Sequence, residues 1–124
     1  GNLKHQELCT VGPMVKQGVS ILAADKFFLS TTGFSVRHGV TEQEMREVEV
    51  KQAMMQSARE VYLTADSTKY GLVHLVRVCP LQAVNAVITD TLMPAEGIAE
   101  LEADGIQVIT PDRLAQESLR EKTP

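Results

Sequence analysis

The residues best equipped for chemistry stand together at Asp66-Ser67-Thr68-Lys69, where the apolar run of residues 61–65 stops abruptly. An acid, two hydroxyls and a lysine at the end of a buried strand are well placed for an anionic polyol, because ligands of open parallel α/β sheets bind beyond the carboxyl ends of the strands. The same residues also suit a simple turn. Asp and Ser after a strand bond back to the local backbone, and Lys69 is then only a solvated side chain. A second lysine, Lys51, has Val48 before it and Met54 and Met55 after it at helical spacing, so it interrupts an apolar face. It snorkels to water, pairs with Glu47 one turn earlier, or presents its ammonium to an anion beside the sheet. Glu49 lies on a different side of that helix, where a carboxylate is ordinarily solvated.

Other chemistries find little support. His5, His38 and His74 have no metal-ligand spacing to one another or to Cys9 and Cys79, so neither a metal nor a cofactor is expected. There is no GxSxG, Walker-type or GxGxxG motif. The two cysteines lie far apart without a CxxC and read as reduced core thiols of an intracellular protein. Net charge is -4 with scattered basic residues, and the chain has no Trp, two Tyr and three Phe, so it lacks the footprint of a nucleic-acid or anionic-lipid surface. No apolar run approaches the ~20 residues of a membrane helix, and the N-terminus lacks signal-peptide regions, which together predict a cytoplasmic protein with no membrane partner.

The elements that must position these groups follow from periodicity. At 124 residues the chain fits one domain with a real core. Gly12-Pro13 opens a helix over residues 14–24. The run Phe27-Phe28-Leu29 predicts a strand emptying into Ser30-Thr31-Thr32-Gly33. Residues 34–40 read as a loop, and Thr41 with Glu44 as a capping box for a long helix to about Arg59. Further strands are expected over 61–65, 85–89 and 106–109, with a helix over 95–104 stopped by Gly105 and a last helix opened by Thr110-Pro111. Residues 70–81 read as a loop, and 117–124 as a tail. Alternating strands and helices, the strands too apolar for a wet face, predict an α/β domain with a mainly parallel open sheet and helices on both faces. Apolar residues beyond one helix face, at Val50, Ala53, Met54, Met55 and Ala58, point to packing on a second layer or on another subunit, the latter making a homo-oligomer.

The pieces LCTVGP, ADKFFLSTTGFSVRHGVT, EVEVKQAMMQSAREVYLTADSTKYG, NAVITD and LEADGIQVIT, in that order, resemble the effector-binding part of DeoR-family transcriptional regulators. The resemblance covers roughly residues 1–110. It implies the fold of ribose-5-phosphate isomerase, glucosamine-6-phosphate deaminase and CoA transferases. It also implies a repressor that senses a phosphorylated sugar or related metabolite and binds operator DNA through a winged helix-turn-helix absent from this segment. Residues 1–116 then form a partial effector-binding domain, beginning after the family's glycine- and threonine-rich phosphate loop. The family's D-S-S-K-F motif is matched by Asp66, Ser67, Thr68, Lys69 and Tyr70, with departures at Thr68 and Tyr70, and its E-x-x-V-K-type helix by Glu47 to Lys51. The resemblance thereby implies ligand-binding roles for Lys69, Lys51, Asp66, Ser67, Glu49, Gly33 and Thr41. An acidic residue often follows the glycine matched by Gly33, whereas Phe34 follows here. A sugar-phosphate isomerase is the alternative, since Glu49 could take the place of its base, but that family's G-A-D-E acids are replaced by Ser30-Thr31-Thr32-Gly33. A bare oligomerisation module is the third reading.

Overall fold

Two stretches of β-formers, ADKFFLS and AREVYLT, make the adjacent pair of parallel strands from which the fold is built. The computed structural model describes residues 24–113. Within them β1 (Ala24–Ser30), β2 (Gly33–Ser35), β3 (Gly39–Glu42), α1 (Met45–Ser57), β4 (Ala58–Thr64), β5 (Val76–Cys79), β6 (Ala86–Ile88), α2 (Ala95–Ala103) and β7 (Val108–Ile109) follow in order, with short 3-10 turns at Ser67–Lys69 and Leu81–Ala83. Strands β1-β4-β6-β7 form a parallel sheet in that order, and β2-β3-β5 a separate antiparallel one. The expected helix over 14–24 and the tail, like Cys9 and His5, fall outside the described residues, apart from Ala24 where β1 begins.

Strand register puts Leu29, Val61, Leu63, Val87 and Val108 on one face of the parallel sheet. These five join Phe34, Val40 and Val78 of the antiparallel sheet, Val48 of α1 and Leu101 of α2 in a single buried cluster. Both described helices therefore feed the same core, and helices on both faces are not seen among the described residues. On the opposite face Phe28 stacks on Tyr62 at 5.7 Å and remains more than half exposed.

Three local expectations are corrected. Residues 34–40 are a β2–β3 hairpin rather than a loop: Ser35 pairs with Gly39, the Ser35 hydroxyl accepts from the His38 amide at 3.0 Å, and Gly39 closes the turn at φ 74°. Thr41 and Glu44 make no capping box, because Thr41 lies inside β3 and α1 starts only at Met45, with Glu44 as an N-cap lacking any side-chain bond. Residues 70–81 include β5, which pairs with β3 and was hidden by its shortness. Gly39→Ala is expected to cost about 1–3 kcal/mol in urea unfolding, since a Cβ there sits 2.3 Å from the Cys79 carbonyl oxygen at a left-handed φ.

Candidate functional site

Parallel pairing brings the ends of β1 and β4 out side by side, with Ser30 opposite Thr64. The two segments that follow, Thr31-Thr32-Gly33 and Asp66-Ser67-Thr68-Lys69, are then joined again further on. Gly71 N–H donates to the Phe34 carbonyl at 2.8 Å, Phe34 and Tyr70 form a parallel bridge, and their rings pack at 5.6 Å. The strand-end lysine thus stands one residue from the chain that runs along β2. The site lies where open parallel sheets place ligands, beyond the carboxyl ends of the strands.

Asp66 caps the 3-10 turn, accepting from the Thr68 amide at 2.9 Å and from the Thr68 hydroxyl. Those bonds, with Lys69 nearby, hold its carboxyl below the usual value. The turn reading of this motif is therefore correct in geometry, and it leaves half-buried Lys69 at the end of the turn. Ser67 presents its amide to Asp90 Oδ2 at 3.0 Å, while Asp90 Oδ1 accepts from Leu92 N–H at 2.9 Å. Asp90, at the end of β6, is consequently the residue that fixes the motif to the neighbouring strand. The Ser67 amide bond is the main cause that keeps its carboxyl low. The Tyr70 hydroxyl bonds Glu100 on α2, and burial together with that carboxylate pushes it up to about 12.

The end of β1 is built around a buried ion pair. Lys51 meets Glu42 rather than Glu47 or water: its Nζ lies 2.7 Å from Glu42 Oε1 and donates to the Ser30 carbonyl at 2.7 Å. Glu42, 1% exposed, also accepts from Thr32 N–H at 3.1 Å and from the Thr32 hydroxyl at 3.0 Å. Thr31 donates its hydroxyl toward the carbonyls of Gly33 and Thr41, both at 3.0 Å. Thr41, buried, accepts the His74 amide at 2.9 Å, and the His74 ring lies 3.1 Å from the Thr32 carbonyl. Gly33 is required by close approach, since a Cβ would fall 2.6 Å from the Leu72 carbonyl oxygen.

Of the seven residues singled out from sequence, Asp66, Ser67 and Lys69 stand together after the end of β4, and Gly33, Thr41 and Lys51 gather around the end of β1. Glu49 stands apart on the exposed side of α1. Sequence reasoning missed Glu42 and Asp90. Glu42 ends a fully buried four-residue strand, Gly39–Glu42, and that position explains its role. Asp90 carries no motif of its own and follows the short strand β6 as a single acid. Among the described residues no group of three His, Cys, Asp or Glu is arranged to hold a metal, and no helix is long and apolar enough to cross a membrane.

This geometry meets an independent observation. The family model described as the DeoR C terminal sensor domain matches residues 1–91. The chain belongs to that family. It is 29% identical over 109 residues to the HTH-type transcriptional regulator GlpR of Haloferax volcanii, covering 88% of this chain and 43% of that protein. The HTH-type transcriptional repressor CsqR of Escherichia coli is 30% identical over 111 residues, 90% of this chain and 42% of the relative. The repressor GlcR of Bacillus subtilis is 26% identical over 114 residues, 91% and 43% respectively. The chain thus spans less than half the length of these relatives. Membership in the sensor family, with regulators as relatives, supports a ligand-sensing rather than an enzymatic role.

Proposed function

We propose that this chain is the sensing part of a transcriptional repressor whose effector is a phosphorylated sugar or a closely related metabolite, operator DNA being held by a winged helix-turn-helix outside the segment. The observation that carries the reading is Lys69, a half-buried cation at the carboxyl edge of a parallel sheet, beside a loop of small hydroxyl residues. An ammonium there neutralises a phosphate, and backbone and hydroxyl groups of residues 30–33 and 66–68 complement sugar oxygens. Turnover is disfavoured by the same geometry. Isomerisation needs positioned groups that move a proton and stabilise an enediolate, whereas the carboxylates at hand are committed: Glu42 to Lys51 and Thr32, Asp66 to Thr68, Asp90 to Ser67 and Leu92.

The test is a panel of triose, pentose and hexose phosphates, read by thermal unfolding of the sensor chain and by operator affinity of the regulator that contains it. A true effector at about 100 times its Kd stabilises the domain by about 2.7 kcal/mol and changes operator affinity in linked fashion. A panel that moves neither quantity would sink the proposal.

A further inference from the structure

The buried pair at the end of β1 bears on what the two neighbouring strand ends can bind. Lys51 has three N–H donors, and two are occupied, by Glu42 Oε1 and by the Ser30 carbonyl. Its positive charge is balanced at contact distance by a carboxylate that is itself 1% exposed. Glu42 in turn fixes both the amide and the hydroxyl of Thr32, so one side chain sets the position of the ammonium and of the neighbouring loop. Lys69 differs from Lys51 in this respect. The carboxylate that its charge helps to hold low, Asp66, is already committed to Thr68.

We infer that Glu42 is the positioning and selectivity residue of the sensing site: by neutralising Lys51 and pinning Thr32 it closes the end of β1 to anions and reserves it for an uncharged ligand oxygen, a hydroxyl or carbonyl. The anionic group of the ligand falls to Lys69. The ligand then has a fixed polarity, phosphate at the 3-10 turn and polyol against Thr32 and the third Lys51 donor. This assignment rests on the sensing reading for the identity of its ligand, but the exclusion of anions by Glu42 is a property of the chain alone.

The experiment titrates the isotope-labelled 124-residue chain with inorganic phosphate and follows backbone amide shifts. In the wild type, Ser30, Thr31 and Thr32 stay unmoved. In Glu42→Gln, Lys51 loses its counter-charge, and those three amides shift on addition of phosphate, the effect of one unbalanced charge beside an anion in a wet site. The double variant Glu42→Gln with Lys51→Met, neutral and nearly isosteric, loses these shifts. A merely structural Glu42 would lower stability without creating phosphate affinity. Phosphate shifts at residues 30–32 of the wild type would overturn the inference and require no variant to fold. So would a Glu42→Gln chain with native circular dichroism and no such shifts. Failure of the sugar-phosphate panel, by contrast, removes the proposed effector class and leaves this phosphate result standing.

Discussion

Lys51→Met should be the most destabilising single change in the site, lowering stability by about 3–5 kcal/mol, because it strands the Glu42 carboxylate in the interior without its counter-charge. Thr32 still donates twice to that carboxylate, but hydrogen bonds without a cation do not offset the cost of burying a charge. The companion variant carrying Glu42→Gln as well removes both charges and is expected to recover most of the loss, since well-packed neutral replacements of buried ion pairs are often close to neutral. Urea unfolding of the wild type, both single variants and the double variant measures the coupling, expected at about 2 kcal/mol or more. A loss in the double variant equal to the sum of the two single losses would mean that the two residues act independently. The pair also sets an acid limit. Burial raises the Glu42 carboxyl, but the Lys51 bond and charge, with Thr32 and Thr31, outweigh it and hold the carboxyl below its ordinary value. A carboxyl depressed in the native state contributes stability that is complete above its unfolded pKa, about 4.3, and lost as pH falls through the native value. Stability of the wild type should therefore fall more steeply below about pH 4.5 than that of the double variant.

The parallel sheet was legible because its strands are apolar runs with clear polar ends, and each of β1, β4, β6 and β7 overlaps a run read from sequence. Helix α2 was equally clear, with Gly105 at φ 81° ending it as expected. The antiparallel sheet was not legible. Its strands are three or four residues long, and their burial comes from packing on the parallel sheet, which no local period announces. The capping-box reading failed for a related reason: a Thr-x-x-Glu sequence satisfies a helix end only where the backbone begins to turn, and here β3 continues through Glu42. Once Glu42 is a strand residue, its carboxylate faces inward and meets Lys51. The lysine that interrupts the apolar face of α1 is then explained by a partner nine residues earlier, in a different element, beyond the reach of helical spacing. The turn expected at Asp66 to Lys69 is found, made by backbone groups and Asp66, and the lysine is left over.

That division makes Lys69→Ala the sharpest functional test. Lys69 ends the 3-10 turn whose hydrogen bonds are made by Asp66, Thr68 and backbone groups, so its truncation removes no bond that holds the turn. Stability should change by less than about 0.5 kcal/mol, as for most changes at partly exposed positions without packing or pairing duties. Effector affinity should fall by about 10- to 100-fold, the worth of one charge-assisted bond to a phosphate, while an unphosphorylated analogue of the same sugar loses little. Calorimetric titration of both ligands into both chains gives the four numbers needed. Lys69→Arg separates charge from geometry: a guanidinium preserves the charge on a larger planar head, so partial retention of phosphate affinity is expected. Equal losses for the phosphorylated and unphosphorylated ligands would place Lys69 on the sugar instead of the phosphate and reverse the polarity assigned to the site. Unchanged affinity for both would remove it from the site altogether, and with it the reason that an acid-hydroxyl-hydroxyl-lysine sequence ends this strand.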